Sequence, residues 1–360
     1  MAKSKIVMIA TGGTGGHIFP ALALKEVLIK QNFKVIMLVD KRYQSFASID
    51  GQDTFIIDSA GSGGKILSIF KKSLAIIKGV IKSFFLIQKY KPSVIIGFGG
   101  YPSFPPCIAA YLLKVPFIIH EQNSVLGKAN RILAFFARYI ATSFIETLGI
   151  KPEYSVKIKY TGNPVRGHIK NITTHKNNSE KLIIFIFGGS LGASVFSEII
   201  PSAISELDFE TKNKIEIIQQ VRKNDIADVD LFYRKHNVKA QIADFFDNMD
   251  YIYSQTDLII CRAGATTIAE LLYIQKPAIL VPIPNSINDH QRINANFLKN
   301  NDCCVMLEEN KDFNSANLKL CLEQLINDKE FRERMSSSYK KIAKVDGVSK
   351  LIELINNILL

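Results

Sequence analysis

The stretch TGGTGGHIFPALAL, Thr11 to Leu24, places four glycines and one histidine within six residues. It follows a short apolar run, KIVMIA, and continues into a segment with the apolar spacing of a helix. Glycine lets the backbone approach a ligand closely and permits positive φ. The start of a helix presents free N–H groups and a positive dipole end. A strand, a glycine loop and a helix in this order therefore predict an anion-binding turn.

The same order recurs downstream, where KLIIFIF leads into GGSLGA and then SVFSEII. Strand-like runs follow each opening: FKVIMLV, SVIIGF and PFIIH first, then KIEIIQQ, DLIICR and PAILVP. Strands that alternate with helical segments predict parallel sheets covered by helices on both faces. We expect an α/β protein of two Rossmann-like domains that face a central cleft, with ligands beyond the carboxyl ends of the strands.

The domain boundaries follow from a polar stretch without periodicity, GHIKNITTHKNNSE, which is typical of a linker. We predict an N-terminal domain over residues 1–166, a linker over 167–181 and a C-terminal domain over 182–344. Residues 345–360 are expected to form a C-terminal helix that could pack on the first domain.

Bulk composition limits the class of protein. The chain has 360 residues, of which 47% are hydrophobic and 22% charged, as in ordinary globular proteins of two domains. No signal peptide is evident. Five cysteines without a CxxC pair indicate reduced thiols rather than a zinc site or disulfides. The net charge of +12 predicts an anionic partner: nucleic acid, phospholipid or a phosphorylated substrate.

Two nucleotide motifs fail on inspection. A dinucleotide fingerprint requires GxGxxG, but Ile18 stands where the third glycine should be. Asp40, a tempting ribose ligand at the end of the second strand, is then expected to be a solvated strand end. AGSGGKI lacks the earlier glycine of a P-loop and the Ser or Thr after Lys65.

The histidine of the first glycine loop has two interpretations. His17 could be a residue at the helix start that caps its neighbours. Alternatively, it could be a general base, because a helix N-terminus disfavours the charged imidazolium and leaves a neutral ring that accepts a proton. Spacing alone leaves both open.

Seven motifs together resemble the MurG family of glycosyltransferases. They are TGGTGGHIFPALAL, GFGGYPSFPP, HEQN, GNPVR, GGSLGA, CRAGATTIAE and DHQRINA, in this order between about residues 5 and 300. The family moves N-acetylglucosamine from UDP-N-acetylglucosamine (UDP-GlcNAc) to lipid I, undecaprenyl-diphosphate-MurNAc-pentapeptide, and so forms lipid II of peptidoglycan. The resemblance implies a GT-B fold and inversion at the anomeric carbon, with no catalytic metal and no cofactor. Leu191 departs from the family, which usually has glutamine there.

The resemblance also implies a donor site in the C-terminal half. Ser190 and the backbone of its loop would hold the diphosphate, unless Ser190 is merely a helix cap. Glu270 would accept hydrogen bonds from the ribose hydroxyls, and Phe246 matches the position whose backbone reads uracil. Gln291 matches the residue that reads the sugar, and the helix start comprises Ala265, Thr266, Thr267, Ile268 and Ala269.

The reacting end is assigned to the N-terminal half. The resemblance places Thr14, Gly15 and Gly16 beside His17 there. Asn123 would contact the donor sugar, and Arg166 would meet phosphate or sugar. We rank His17 as the base ahead of Glu121, which could instead organise its loop.

A lysine-rich segment, KILSIFKKSLAIIKGVIKSFFLIQKYK, has no acidic residue. The bland interpretation is a core-packing helix with a solvated lysine face. The alternative is an interfacial anchor on anionic lipid, for which we predict the membrane-facing residues Lys71, Lys78, Lys82, Phe84 and Phe85. We expect peripheral attachment to the cytoplasmic face of the bacterial inner membrane.

Other functions stay open at this point. A different GT-B glycosyltransferase or a UDP-sugar epimerase would share the twin domains, but should lack GGYPSFP together with HEQN. A nucleic-acid-binding protein is not favoured, because the lysines are not interleaved with stacking aromatics and no known DNA or RNA module occurs. The sequence gives no indication of the oligomeric state.

Overall fold

The computed structural model describes residues 5–45, 53–59, 67–172, 181–189 and 192–360, and of residues 45 and 67–72 the backbone alone. The chain divides into two compact units. The first comprises Met1–Arg166 and Val345–Leu360, and the second comprises Gly167–Lys344.

The first unit is built on a seven-stranded parallel sheet in the order β3-β2-β1-β4-β5-β6-β7. Its strands are β1 (Ile6–Thr11), β2 (Lys34–Val39), β3 (Thr54–Ile56), β4 (Val94–Gly97), β5 (Phe117–Glu121), β6 (Tyr139–Thr142) and β7 (Ile158–Tyr160). Its first four helices are α1 (Gly15–Lys30), α2 (Leu67–Tyr90), α3 (Gly100–Leu112) and α4 (Lys128–Leu133). The central strands are buried and mostly apolar, with polar residues at the carboxyl ends of β1 and β5, because helices cover both faces of the sheet.

The second unit repeats this plan with a six-stranded parallel sheet in the order β10-β9-β8-β11-β12-β13. Its strands are β8 (Leu182–Phe187), β9 (Ile215–Gln220), β10 (Ala240–Ala243), β11 (Leu258–Cys261), β12 (Ala278–Leu280) and β13 (Cys304–Met306). Its helices are α5 (Gly167–Lys170), α6 (Ser194–Ser205), α7 (Phe209–Asn213), α8 (Ile226–Lys235), α9 (Met249–Gln255), α10 (Ala265–Ile274), α11 (His290–Lys299), α12 (Ser315–Asn327) and α13 (Lys329–Ser338).

The predicted linker of 167–181 begins with a helix. α5 contacts α9 and α10 and so belongs to the second unit. The polar composition of this segment predicted a loop and gave no sign of this short helix, in which Ile169 is buried. Residues 173–180 of the predicted linker lie outside the described residues.

The last helix, α14 (Gly347–Leu359), returns to the first unit. It contacts α1 and β4, and its buried Leu351 and Ile355 share a core with Leu24 and Leu28 of α1. Its apolar residues recur at three- and four-residue spacing, which gives the helix one apolar face. The side chain of Asp346 accepts a hydrogen bond from the amide of Val348 and caps the helix.

Both sheets share one feature that locates a binding site. β1 lies between β2 and β4, and β8 lies between β9 and β11. At such a switch point the connections leave in opposite directions, so a crevice opens at the carboxyl ends of the two central strands. The glycine loops follow β1 and β8, and the GFGG and CRAG segments follow β4 and β11. These four segments therefore lie at the switch point of each sheet.

No described helix is long and apolar enough to cross a membrane. All five cysteines are free, and four of them are buried.

Candidate active site

The buried carboxylate of Asp40 binds the first glycine loop. Gly12 and Gly13 have φ of +154° and +92°, and the amide of Gly13 donates to Oδ1 of Asp40 over 3.1 Å. The other oxygen of Asp40 is paired with Arg42, whose Nη2 lies 2.6 Å away. The expectation of a solvated strand end at Asp40 is therefore wrong: its side chain is buried because it satisfies an amide that the bent loop cannot pair.

His17 lies in the first turn of α1, close to bare backbone. The N-cap residue of the helix is Thr14, so the capping interpretation of His17 is wrong. Gly99, the N-cap residue of α3, and Gly100, its first residue, have φ of +75° and +69°. A Cβ on either would lie 3.4 Å from the imidazole ring. The glycines of GFGG thus leave room for the histidine as well as bend the chain.

A chain of hydrogen bonds connects His17 to the interior of the first unit. Nδ1 of His17 lies 2.7 Å from Oε1 of Gln122. Nε2 of Gln122 lies 2.9 Å from Nδ1 of His120. Nε2 of His120 lies 3.1 Å from the carbonyl oxygen of Gly162. The pKa of His120 is lowered to about 4, mainly because the ring is buried. The hydrogen bond to the Gly162 carbonyl raises this pKa, and the electrostatic effect of the nearby His17 lowers it.

Glu121 is committed to its own loop. Its Oε1 accepts from the backbone and side-chain amides of Asn123, over 3.1 and 3.2 Å. Its Oε2 accepts from the Gly127 amide and from Nδ2 of Asn130, each over 2.9 Å. A buried carboxylate with four donors fixes the conformation of the segment around it. This geometry suits an organising role rather than proton transfer.

Arg166 ends the first part of the first unit. Its guanidinium stacks 4.6 Å above the ring of Phe19, two residues after His17. The stacking presents a planar cation near the start of α1.

In the second unit, a tight loop follows β8. A Cβ on Gly188 would lie 2.4 Å from the amide nitrogen of Ala193, and Gly189 and Gly192 have φ of +82° and +67°. Ala193 is the N-cap residue of α6. Ser190 and Leu191 lie outside the described residues.

A second helix start follows β11. The N-cap residue of α10 is Gly264, which has no side chain of its own at the cap position. Thr266 and Thr267 are half-buried, whereas the other predicted residues of this turn are buried, namely Ala265, Ile268 and Ala269. The carboxylate of Glu270 is also buried, and the hydroxyl of Tyr253 donates to its Oε2 over 2.9 Å.

The side chain of Phe246 is buried in an aromatic cluster. Its ring lies 5.8 Å from that of Phe185, which also contacts Phe187 and Tyr253. The side chain of Phe246 therefore belongs to the core, and the role that the resemblance implies for its backbone stays a prediction.

The loop before α11 is strained. Asn285, Asn288 and Asp289 all have φ near +56°, a left-handed conformation that residues other than glycine rarely adopt. Such conformations persist where the surrounding structure enforces them, frequently at binding sites. Gln291, two residues after Asp289, is buried, and its Oε1 accepts from the amide of Ile283 over 3.1 Å. The neighbouring His290 donates from Nδ1 to the carbonyl of Ile287.

Sequence reasoning missed three partners: Gln122, Tyr253 and the pairing of Asp40. A signal existed for the first, because Gln122 lies two residues after His120 at the end of a strand, where alternate side chains share a face. Neither Tyr253 nor the environment of Asp40 had a local signal.

The predicted membrane-facing helix carries two different faces. Lys78, Lys82 and Phe85 are exposed. Phe84 is half-buried against the core beneath α2, so its assignment as membrane-facing is wrong. The side chain of Lys71 lies outside the described residues. A row of exposed apolar residues that runs along α2, hereafter the α2 apolar row, consists of Leu74, Ile77, Ile81 and Phe85.

Comparisons with known proteins agree with this architecture. Residues 7–142 match the glycosyltransferase family 28 N-terminal domain, and residues 183–352 match its C-terminal domain. The structure of Acinetobacter baumannii MurG superposes with a TM-score of 0.78 at 27% identity, over 98% of this chain and 99% of that one. A UDP-GlcNAc 2-epimerase from Neisseria meningitidis has a TM-score of 0.66 at 14% identity over 98% of this chain and 99% of that one, a likeness of fold alone.

Curated relatives extend over nearly the full length. The UDP-N-acetylglucosamine–N-acetylmuramyl-(pentapeptide) pyrophosphoryl-undecaprenol N-acetylglucosamine transferase of Rickettsia canadensis is 40% identical over 360 residues, 99% of each chain. The protein of the same name from the Wolbachia of Brugia malayi is 36% identical over 97% of this chain and 98% of its own. With both family 28 domains matched and identity of this level from end to end, the chain belongs to the MurG family of glycosyltransferases.

Proposed function

We propose that the chain transfers N-acetylglucosamine from UDP-GlcNAc to lipid I and releases UDP and lipid II. The observation that carries the proposal is near-full-length identity of 36–40% to transferases of that name. The positions that matter chemically agree with it: a glycine loop with His17 in the first unit and a buried Glu270 in the second, each beyond the central strands of a sheet.

The donor is assigned to the second unit. The starts of α6 and α10 offer amide N–H groups and positive dipole ends to a diphosphate. To Glu270, about a turn and a half into α10, we assign the hydrogen bonds from the ribose diol. Gln291 gives its oxygen to Ile283, so its NH₂ group is the part that we assign to the sugar hydroxyls. The anionic diphosphate of UDP-GlcNAc is thus assigned to amide N–H groups, and its neutral hydroxyls are assigned to the side chains of Glu270 and Gln291.

The acceptor is assigned to the first unit, with His17 as general base. An acceptor hydroxyl gives its proton to the imidazole while its oxygen attacks the anomeric carbon. The bond from that carbon to the UDP oxygen breaks, and its electron pair leaves with the diphosphate. Attack opposite the leaving group inverts the anomeric configuration. Amide groups at the helix starts and the guanidinium of Arg166 stabilise the charge that develops on UDP.

We assign membrane contact to α2. The α2 apolar row provides side chains that gain by leaving water. Lys78 and Lys82 lie beside it and are exposed, so they can pair with anionic headgroups. An acceptor with a polyprenyl tail resides in the bilayer, and we place this surface of the first unit on the cytoplasmic face of the inner membrane.

The experiment that tests the activity follows labelled N-acetylglucosamine from UDP-GlcNAc to lipid I in detergent micelles, with EDTA present. We expect a disaccharide-linked product with inverted anomeric configuration, assigned by NMR. Absence of product while UDP-GlcNAc still binds would contradict lipid I as the acceptor and would favour a different glycosyl acceptor. Absence of binding would contradict the donor assignment as well.

A further inference from the structure

Gln122 lies between two histidines, and its hydrogen bonds decide which nitrogen of His17 carries a proton. The argument begins at the far end of the chain of hydrogen bonds, at the carbonyl of Gly162. A carbonyl oxygen only accepts, so the Nε2 of His120 that faces it over 3.1 Å carries the proton. His120 is fully buried. Its lowered pKa, about 4, keeps the ring neutral near pH 7.

A neutral imidazole has a single N–H, and His120 uses it on Gly162. Its Nδ1 is therefore an acceptor, and the atom of Gln122 that faces it over 2.9 Å must be the amide NH₂. This fixes the orientation of the amide, so that the oxygen of Gln122 points to His17. Because that oxygen only accepts, Nδ1 of His17 donates over 2.7 Å.

We propose that Gln122 is a positioning residue for the transfer reaction: it holds His17 as the Nδ1–H tautomer, so that the Nε2 lone pair is the one that takes the acceptor's proton. The inference rests on the proposed role of His17 as base. Without this bond the imidazole could exchange tautomers or rotate, and a fraction of the enzyme would present an N–H where a lone pair is required.

The backbone around the ring supports a fixed orientation. Gly99 and Gly100 lie against Cε1 and Cδ2 of His17, so the ring is packed as well as hydrogen-bonded. The ionisable groups on the segments that pack around it are Tyr101 after β4, and His120 and Glu121 of β5. Among the described residues, the charged pair beneath the glycine loop, Asp40 and Arg42, and the guanidinium of Arg166 over Phe19 also belong to this set.

The tautomer can be measured without turnover. In full-length protein labelled with ¹⁵N-histidine, two-bond ¹H–¹⁵N spectra distinguish a protonated from a bare ring nitrogen, and His17→Asn assigns the signal. We expect Nδ1–H for His17 in the wild type. Gln122→Met keeps the length of the side chain but accepts no hydrogen bond, and we expect a mixture of tautomers. A wild-type signal in Gln122→Met would overturn the inference.

Kinetics supply the second readout. For Gln122→Met we expect kcat with lipid I to fall about 10- to 100-fold, as when a partner that orients a functional histidine is removed, with KM for UDP-GlcNAc within twofold. Gln122→Glu keeps an acceptor for Nδ1 and adds a negative charge, so the acid limb of its kcat/KM profile should move upward by about one pH unit. Gln31→Met, at an exposed glutamine after α1, is the matched control and should behave as the wild type.

The two failures are distinguishable. If the wild type transfers no sugar, the proposed function fails, whereas the spectra still test the chain of hydrogen bonds. If the wild type is active but both Gln122 variants keep its kcat and pH profile, Gln122 has no positioning role. Should Gln122→Met not fold, Gln122→Glu carries the test alone, through the acid limb and the His17 signal.

Discussion

The hydroxyl of Tyr253 donates a hydrogen bond to Oε2 of Glu270 over 2.9 Å, and both residues are buried. Tyr253 extends from α9 and Glu270 from α10, so the bond joins two helices on one side of the second sheet. A buried carboxylate requires donors, and the phenol supplies one while the ring packs against Phe185. Glu270 is therefore held in a set direction before any ligand arrives, which limits the rotamer freedom lost on binding.

Glu270→Gln is expected to raise KM for UDP-GlcNAc about 10- to 100-fold, because hydrogen bonds to a charged group contribute about 1.5–3 kcal/mol. Tyr253→Phe should raise KM about 3- to 10-fold, since the carboxylate remains but loses one restraint. Calorimetric titration with UDP separates binding from turnover. Glu330→Gln, at an exposed glutamate on α13, is the control. An unchanged Kd for UDP in Glu270→Gln would remove Glu270 from the donor site.

His17→Asn is expected to lower kcat about 100- to 10,000-fold, the range for loss of a general base, and to leave the Kd of UDP unchanged. The reason is that His17 lies in the first unit, whereas the nucleotide is assigned to the second. Single-turnover transfer to lipid I measures the rate. Wild-type turnover by His17→Asn would refute the base assignment, and Glu121→Gln would then be the next variant to measure.

Gly12→Ala is expected to destabilise the first unit by about 1–3 kcal/mol, the usual cost of overpacking. The added Cβ would lie 2.6 Å from Oδ1 of Asp40 and 2.9 Å from the ring of Pro102, at a φ of +154°. Thermal unfolding measures the loss. Gly167→Ala is the control, since nothing lies within 4 Å of its Cβ position. Equal Tm values for the two variants would contradict the packing described for the loop.

Removal of the α2 apolar row is expected to release the protein from membranes. The triple variant Ile77→Ser, Ile81→Ser, Phe85→Ser should lower partitioning onto vesicles at least about tenfold, because each side chain contributes its apolar area. Its Tm should be unchanged, since these side chains are exposed in the folded protein. Sedimentation with phosphatidylglycerol vesicles measures binding.

The charge contribution has its own variant. Lys78→Glu with Lys82→Glu should weaken binding to anionic vesicles at low salt, by about 1 kcal/mol for each lysine lost near the surface, and leave binding to neutral vesicles unchanged. Leu231→Ser with Leu320→Ser, two exposed leucines of the second unit, is the control for the apolar variant. If that control loses as much binding as the triple variant, α2 is not the contact surface.

Stability should depend on pH through His120. Its pKa falls from an ordinary 6.5 to about 4 on folding, mainly because the ring is buried. The unfolded chain therefore binds a proton between these values and the folded chain does not, so stability rises with pH across this window. At pH 5 the loss relative to pH 8 is about 2 kcal/mol for this group. Urea unfolding at both pH values measures it.

His120→Gln removes the titrating group and provides the comparison. The difference in unfolding free energy between pH 8 and pH 5 should be smaller in His120→Gln than in the wild type by about the same 2 kcal/mol. Equal pH dependence in the two proteins would show that His120 titrates normally in the folded state.

The sequence was a good guide wherever chemistry is local. Glycines and the apolar runs before them located the turns that follow β1 and β8, because bare backbone and strand pattern are visible in consecutive residues. The alternation of strand-like runs with helical segments likewise predicted the parallel sheets. A short helix such as α5 escaped because its four residues carry no periodicity to detect.

The misses concern partners from distant parts of the chain. Asp40 was expected in solvent because nothing near it in sequence shows that Gly13 lacks an acceptor. Gln122 reaches His17 across 105 positions, and Tyr253 reaches Glu270 across 17. Phe84 and Phe85 differ only in the direction in which their side chains extend from α2. Side-chain direction and tertiary pairing decided these cases, and neither is contained in a local pattern.

The return of α14 to the first unit makes the order of synthesis matter. A ribosome releases residues 167–344 as one uninterrupted stretch, so the second unit can complete its core while translation continues. The first unit must wait, because Leu351 and Ile355 complete the core that contains Leu24 and Leu28. A premature stop codon before Gly347 would thus leave the second unit intact and expose apolar surface on the first, a product that chaperones and proteases would recognise.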